Sequence, residues 1–202
     1  MKKITYYSTN LKSDGATFRE ALLKGLAPDG GLFMPDSFPA IRRKDLSEFP
    51  EKKYYEIAFT VLNNIIGKEI GENDLAGLCR DAYYFDVPLE KVHGRSYIMR
   101  LDQGPTASFK DFAARIMSRL MQHFLSLSNR HLTILTATSG DTGSAVANAF
   151  YGLKNINVII LFPANEVTAM QRKQMTTLDG NISVISLDGK FDDCYSPKYR
   201  NA

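Results

Sequence analysis

The sequence predicts an α/β protein, a parallel sheet with flanking helices that is preceded by a mixed α+β N-terminal region. From about residue 102 onward, segments of helical and strand periodicity alternate. This alternation implies crossover connections and a parallel sheet covered on both faces. The first 101 residues are instead rich in turns, such as Ala-Pro-Asp-Gly-Gly at 27–31. We therefore expect one region over residues 1–101 and the start of an α/β domain over 102–202.

Apolar periodicity and turn residues mark the elements of the N-terminal region. One predicted helix carries a clear apolar stripe and ends at Gly67. Pro35 and Pro39 keep the segment around them irregular, and Pro88 stops the last helix. The predicted elements are, in order, strand 4–8, helices 17–26, 53–66 and about 73–84, and a hairpin of strands 89–92 and 97–101.

The second region alternates between the two periodicities. Its first helix has apolar residues at four-residue steps, namely Phe112, Ile116, Leu120 and Phe124. The predicted elements are helix 109–127, strand 132–137, helix 143–151, strand 158–162, helix 169–177 and strand 182–187. Ligands of such sheets bind where strands end and helices begin. Two of these junctions carry unusual residues.

Composition and charge argue against several classes of protein. The net charge is only +3 and no long basic run occurs, which argues against electrostatic nucleic-acid binding. The longest apolar stretch, Val158–Phe162, is too short to span a bilayer, and the first ten residues lack the apolar core of a signal peptide. Cys79, Cys194 and three scattered histidines form no metal or disulfide pattern. We expect a cytoplasmic globular protein without a metal site.

The first unusual junction, at residues 103–112, places a lysine at the start of a helix. Ser108 suits an N-cap, and Asp111 follows three residues later as a capping-box variant. Lys110 then lies at the positive end of the helix dipole, where a cation is disfavoured by about 0.3–1 kcal/mol. Only a neutral amine attacks a carbonyl, so this placement suits a lysine that forms an imine. The alternative is a solvated lysine compensated by its neighbour Asp111.

The second junction, at residues 136–144, joins an apolar strand to an alanine-rich helix. Backbone N–H groups at the helix start, with the hydroxyls of Thr138, Ser139 and Thr142, suit a small anion such as a carboxylate or phosphate. Asp141 carries a negative charge that does not suit a bound anion. We therefore predict that it binds a hydroxyl or a protonated ring. An ordinary loop with a Ser/Thr cap is the alternative. The sequence lacks the GxxxxGK[ST] and GxGxxG motifs, which argues against a nucleotide.

Several segments resemble blocks of the threonine synthase family. GPTASFKDF at 104–112 resembles the family's pyridoxal-phosphate lysine motif, and TSGDTG at 138–143 resembles its substrate-carboxylate loop. FREALLKGLAPDGGLFMP at 18–35 is similar to the N-terminal signature of the family. QRKQMTTLDG at 171–180 and DGKFDDC at 188–194 are similar to its later blocks. The resemblance is specific because independent motifs occur in the family's order.

This resemblance implies a fold-type II, tryptophan synthase β-like lyase that uses pyridoxal 5'-phosphate. The family converts O-phospho-L-homoserine and water to L-threonine and phosphate, the last step of threonine biosynthesis. On this sequence, Lys110 would hold the cofactor as an imine and later move protons. Ser108 and Phe109 would flank it, and Asp141 would lie near the cofactor's ring hydroxyl. The residues implied to bind the substrate carboxylate are Thr138, Ser139, Gly140 and Thr142.

The family's catalytic chain is considerably longer than this sequence. No second glycine-rich loop is present that would bind the cofactor phosphate, and Pro197 breaks the helix that DGKFDDC should open. We therefore expect the N-terminal portion of such an enzyme, and such a portion would not be active by itself. Residues 102–202 would be the start of the pyridoxal-phosphate-binding domain, with its C-terminal half absent.

Two other functions stay open at this point. A phospho-lyase with the same fold and cofactor would yield a keto acid instead of threonine. A non-catalytic module would use the 138–143 loop to bind an amino acid or a partner, although such a module has no use for Lys110. We expect a small-molecule substrate and neither a nucleic-acid nor a membrane partner. The sequence leaves a monomer or a dimer equally open.

Overall fold

The computed structural model describes residues 4–66 and 69–195, which belong to two compact units. The division falls between Asp86 and Val87, so the predicted hairpin belongs to the second unit. The predicted domain division between residues 101 and 102 stays a prediction. The expected helix end at Gly67 and the helix break at Pro197 lie outside the described residues.

The described part of the first unit combines a small antiparallel sheet with helices. Helix α1 begins with a capping box in which Thr17 and Glu20 each accept a hydrogen bond from the other's backbone N–H. A core of Ile4, Tyr6 and Ala21 joins this helix to the sheet. The elements are strands β1 (Tyr6–Ser8) and β2 (Phe33–Pro35) and helices α1 (Phe18–Lys24), α2 (Arg43–Glu48), α3 (Tyr54–Ile66) and α4 (Glu72–Ala82). The predicted first strand and three helices are confirmed.

Helix α2 is an element that the periodicity did not indicate. It has six residues, and Asp45 is the only one of them that is buried. Arg42 donates from its Nε and one terminal nitrogen to the two carboxylate oxygens of Asp45, both at 2.8 Å, and this holds the pKa of Asp45 below its ordinary value. A local ion pair therefore takes the place of an apolar stripe.

Helices α3 and α4 pack together, and α4 carries a buried thiol. Leu75, Cys79 and Ala82 of α4 are fully buried. Burial raises the pKa of Cys79 from 9.0 to about 11. Since the unfolded chain releases this proton first, we expect the free energy of unfolding to fall as the pH rises from 9 towards 11.

We predict that Cys79 resists thiol reagents while the chain is folded. Burial excludes the reagent and keeps the thiol in its unreactive protonated form. A chromogenic disulfide reagent at about pH 8 should titrate Cys194 alone in the folded chain and both cysteines after denaturation. The Cys79→Ala variant should show no increase upon denaturation. Equal reaction rates of the two thiols in the folded chain would contradict the prediction.

The second unit contains a hairpin followed by a three-stranded parallel sheet. Right-handed crossovers between strands in sequential order place their connecting helices on one side of a sheet. The elements are β3 (Leu89–His93), β4 (Ser96–Met99), α5 (Lys110–Ser128), β5 (Leu132–Ala137), α6 (Asp141–Phe150), β6 (Ile156–Pro163), α7 (Ala169–Thr176) and β7 (Ile182–Leu187). The strands of the sheet lie in the order β5-β6-β7 and run parallel. The predicted hairpin and parallel sheet are confirmed.

The sequence predicts a parallel sheet covered on both faces, but the burial of the strand residues differs from this prediction. Val158 and Ile160 of the central strand are fully buried, whereas Leu135 of β5 is 66% exposed and Ile185 of β7 is 46% exposed. Helices α5 and α6 pack together, as do α6 and α7. Within residues 4–66 and 69–195, the helices thus cover one face and leave apolar residues of the other exposed.

The buried face of α5 is partly polar. Its first half buries Asp111, Arg115 and Ser118, while its second half buries apolar residues such as Leu120 and Phe124. The predicted stripe is therefore confirmed only towards the C-terminal end of the helix. None of the described helices is long and apolar enough to cross a membrane.

Candidate active site

The loop before α5 is bound tightly to the first turn of that helix. Thr106 donates from its backbone N–H and its hydroxyl to the two carboxylate oxygens of Asp111, at 2.9 and 2.7 Å. Asp111 is fully buried, and Gly104 lies so close to it that a Cβ would collide. Ala107 turns the loop with a positive φ of 55°. This support places Lys110 at the start of a firmly held helix.

The predicted capping box of Ser108 and Asp111 is wrong. The hydroxyl of Ser108 accepts from the N–H of Lys110 at 3.3 Å, but the carboxylate of Asp111 turns back to Thr106. Thr106 offers two donors to that carboxylate, whereas a capping box would offer one. Asp111 is thus engaged elsewhere and is not the counter-charge of the lysine.

The amine of Lys110 lies close to the start of α6. Its Nζ is 3.9 Å from Oδ2 of Asp141 and 4.8 Å from the centroid of the Phe109 ring. The side chains of Lys110 and Asp141 are 33% and 55% exposed. At this exposure an ion pair contributes less than about 1 kcal/mol to stability. Three of the predicted cofactor residues therefore meet at a position that solvent can reach.

One buried hydroxyl shapes the loop between β5 and α6. Thr138 accepts from the N–H groups of Gly140 and Gly143, at 2.9 and 2.8 Å. The helix begins at Asp141, directly after its N-cap residue Gly140 and earlier than the predicted start at Gly143. A Cβ at Gly143 would strike the Thr138 methyl group and the sulfur of Met175. Thr138 thus has a structural role inside the loop. Its contact with the substrate stays a prediction.

We predict that Thr138→Val lowers the free energy of unfolding by about 2 kcal/mol, because two buried N–H groups lose their acceptor. Denaturant unfolding of the wild type and the variant measures the difference. Thr138→Ser keeps the hydroxyl and is the matched control, with a loss of about 1 kcal/mol for the missing methyl group. A valine variant as stable as the wild type would contradict this role of the hydroxyl.

The start of α6 carries donors suited to an anion. Within the described part of the chain, the N–H groups of Ser139, Asp141 and Thr142 have no hydrogen-bond acceptor. Gly140 has φ 137° and ψ −83°, a conformation that favours glycine. The positive end of the helix dipole adds to the attraction for a carboxylate or phosphate. The geometry is therefore compatible with the predicted carboxylate loop.

Helix α7 contributes two residues whose contacts sequence analysis missed. Gln171 donates from Nε2 to Oδ1 of Asp141 at 2.8 Å, and Gln174 donates to the backbone oxygen of Thr106 at 3.4 Å. Asp141, predicted to bind a hydroxyl or a protonated ring, thus contacts an amide and the amine of Lys110. Two glutamines three residues apart share a helix face, which was the available signal. No described cluster of His, Cys, Asp and Glu could hold a metal ion.

Comparison with known proteins finds relatives along most of the chain. Residues 5–83 match the family model of the threonine synthase N terminus, and residues 83–200 match that of pyridoxal-phosphate dependent enzymes. The threonine synthase of Haemophilus influenzae is 39% identical over 188 residues, which cover 93% of this chain and 43% of that protein. The threonine synthase of Escherichia coli is 38% identical over 187 residues, covering 92% and 43%.

Solved structures of threonine synthases are likewise similar to this chain along most of its length. The PLP-bound threonine synthase from Brucella melitensis superposes with a TM-score of 0.89 at 37% identity, covering 95% of this chain and 43% of that one. The yeast threonine synthase gives 0.85 at 31% identity, covering 94% and 42%. The chain thus spans less than half the length of the relatives it matches. The predicted resemblance to threonine synthases and the predicted fold are confirmed.

The second family model covers more than half of the chain and includes both Lys110 and the 138–143 loop. The parallel sheet and the two helix starts that carry these residues lie in the same matched segment. This chain therefore belongs to the family of pyridoxal-phosphate-dependent enzymes.

Proposed function

We propose that this chain is the part of a threonine synthase that carries the cofactor lysine and the substrate-carboxylate loop. Such an enzyme uses pyridoxal 5'-phosphate to convert O-phospho-L-homoserine and water to L-threonine and phosphate. The observation that carries the proposal is the meeting of Lys110 and Asp141, 3.9 Å apart, beside unpaired N–H groups at the start of α6. Relatives 35–40% identical to the chain are threonine synthases, which supports it.

The side chains around Lys110 fit pyridoxal phosphate. A primary amine that is one third exposed can bond to the cofactor's aldehyde. The carboxylate of Asp141 can accept a hydrogen bond from the ring hydroxyl, and the exposed ring of Phe109 offers an apolar surface beside the amine. Ser108, which holds the N–H of Lys110, completes the set that would surround the cofactor.

Each residue of the site has a separate role in the proposed reaction. When bound, pyridoxal phosphate supplies an electron sink for the carbon next to the substrate's amino group. Lys110 holds the cofactor and, once released, accepts and returns protons at Nζ. Ser139 and Thr142, through their hydroxyls and the N–H groups around Gly140, orient the substrate carboxylate. Asp141 keeps the lysine side chain directed to this place.

Reductive trapping tests the proposal. The chain is incubated with pyridoxal phosphate, reduced with borohydride and digested, and the modified peptide is identified by mass spectrometry. We expect one reduced adduct per chain, located on Lys110. No adduct, or an adduct spread over many lysines, would contradict the proposal.

Product analysis with O-phospho-L-homoserine, carried out on the longer enzyme of which this chain is proposed to be a part, separates the related functions. L-threonine would support the synthase, and 2-oxobutyrate would support the phospho-lyase. Amino-acid binding that needs neither cofactor nor Lys110 would indicate a binding module.

We also propose a cytoplasmic location. Support comes from Cys79 and Cys194, which are both free thiols, as is usual in a reducing compartment. Cell fractionation followed by immunodetection tests the location.

The sequence leaves the oligomeric state open. Light scattering on the purified chain distinguishes a monomer from a dimer.

A further inference from the structure

Gln171 joins the N-terminal ends of α6 and α7 through its side-chain amide. Its Oε1 accepts from the N–H and the hydroxyl of Thr168, both at 3.0 Å, which completes the capping box of α7. Its Nε2 donates to Oδ1 of Asp141 at 2.8 Å. The other oxygen of Asp141, Oδ2, is the one that lies 3.9 Å from Nζ of Lys110. One carboxylate thus connects the glutamine to the lysine.

Gln171 makes two contacts, the cap to Thr168 and the hydrogen bond to Asp141, and only the second requires glutamine rather than glutamate. A capping box accepts either residue at this position, because only an acceptor oxygen is needed. Donation to Asp141 requires an amide, since a glutamate would place a second negative charge against the first. Gly140 makes room for this arrangement, because a Cβ there would collide with the carboxamide of Gln171. The cap alone therefore does not account for glutamine.

We propose that Gln171 is a positioning residue that holds Asp141 in the rotamer facing Lys110. It donates to one carboxylate oxygen and leaves the other directed at the lysine amine. Without this donor, the Asp141 side chain is free to occupy the other staggered wells of its first torsion. The value of this arrangement for catalysis rests on the proposed function, but the arrangement itself does not.

Zero-length crosslinking tests the geometry without cofactor. A carbodiimide adds to a carboxylate to form an O-acylisourea, and an amine in contact attacks the acyl carbon to form an amide. The reagent leaves as a urea, so the chain loses one water and the carbodiimide takes it up. We expect a Lys110–Asp141 crosslink in the wild type and a yield about 3-fold lower in Gln171→Glu, as three rotamers replace one. The pair Lys52–Glu48, at 3.0 Å beside the end of α2, is the internal control and should crosslink equally in both.

Further variants separate positioning from a structural role. Gln171→Glu keeps the cap but loses the exposed hydrogen bond to Asp141, so its unfolding free energy should fall by less than about 1 kcal/mol. Met170→Ala, at an exposed position of the same helix, should leave the crosslink unchanged. Should Gln171→Glu fail to fold, D141N/Q171E provides the second test, because the new asparagine can donate to the new glutamate. It should fold, and its half-saturating concentration for pyridoxal phosphate should equal that of Asp141→Asn.

The outcomes distinguish this inference from the proposed function. A Lys110–Asp141 crosslink yield in folded Gln171→Glu that equals the wild-type yield would overturn the role of Gln171. A fall of the same size in the Lys52–Glu48 crosslink would overturn it too. A double variant that does not fold, or that differs from Asp141→Asn in capture, would overturn it as well. Failure of the wild type to trap pyridoxal phosphate would count against the proposed function alone, since the crosslink needs no cofactor.

If both proposals hold, Gln171→Glu should raise the half-saturating concentration of pyridoxal phosphate about 10-fold, at the lower end for a hydrogen bond to a charged group. The absorbance of the bound cofactor as a function of pH should change together with it, in the same direction as in Asp141→Asn. A purely structural role would leave that profile unchanged.

Discussion

Lys110→Ala should abolish the borohydride-reducible capture of pyridoxal phosphate and leave the fold intact. The lysine is the amine that the site offers to an aldehyde, so its removal eliminates the covalent link. Its side chain is 33% exposed and its ion pair with Asp141 is long, so stability should change by less than about 1 kcal/mol. Mass spectrometry of the reduced chain and denaturant unfolding measure the two quantities.

Two further variants define what the loss means. Lys110→Arg keeps a positive charge near Asp141 but offers no amine, and it should also give no adduct. Lys173→Ala removes an exposed lysine of α7 and should trap cofactor like the wild type. An adduct that persists in Lys110→Ala would show that another lysine holds the cofactor. The assignment of Lys110 would then be wrong.

Gly140→Ala should destabilise the chain by about 3 kcal/mol and weaken the capture of pyridoxal phosphate at Lys110. A φ of 137° strains any residue with a Cβ by about 1–3 kcal/mol. The new methyl group would also displace the carboxamide of Gln171, breaking its bonds to Asp141 and Thr168. Denaturant unfolding measures the first effect. The concentration of pyridoxal phosphate needed for half capture measures the second.

Gly152→Ala is the matched control for this prediction. Gly152 also has a positive φ, 74°, but a Cβ there meets no atom within 4 Å. It should therefore cost only the backbone strain of about 1–2 kcal/mol and leave cofactor capture unchanged. If both variants lost the same stability and kept the same capture, the contact between Gly140 and Gln171 would have no role in the site.

Local patterns predicted the elements that carry the site. Strands Leu132–Ala137 and Ile182–Leu187 were predicted with the bounds that the structure shows, because short apolar runs lie between turn residues. Lys110 and Asp141 were each identified from their own junctions. Helix α2 was missed because an ion pair between Arg42 and Asp45 holds it in place of an apolar stripe.

The internal contacts of the site were beyond reach of those patterns. The capping box of Ser108 and Asp111 satisfied a local rule, yet the carboxylate found two donors on Thr106 instead. The polar residues that α5 buries in its first half have no counterpart in the apolar periodicity of the sequence. A buried carboxylate accepts hydrogen bonds from the donors that lie within reach. Those donors come together only when the loop has folded.

The sequence by itself determined the alternation of strands and helices, the chemistry of the two junctions and the resemblance to threonine synthases. These properties depend on residues that are neighbours along the chain. Only the tertiary structure brought Lys110 to Asp141 and Asp141 to Gln171. Each of these partners lies some thirty positions farther along the chain. Parallel strands joined by crossovers bring successive helix starts to one edge of the sheet, and that packing decides which of their side chains meet.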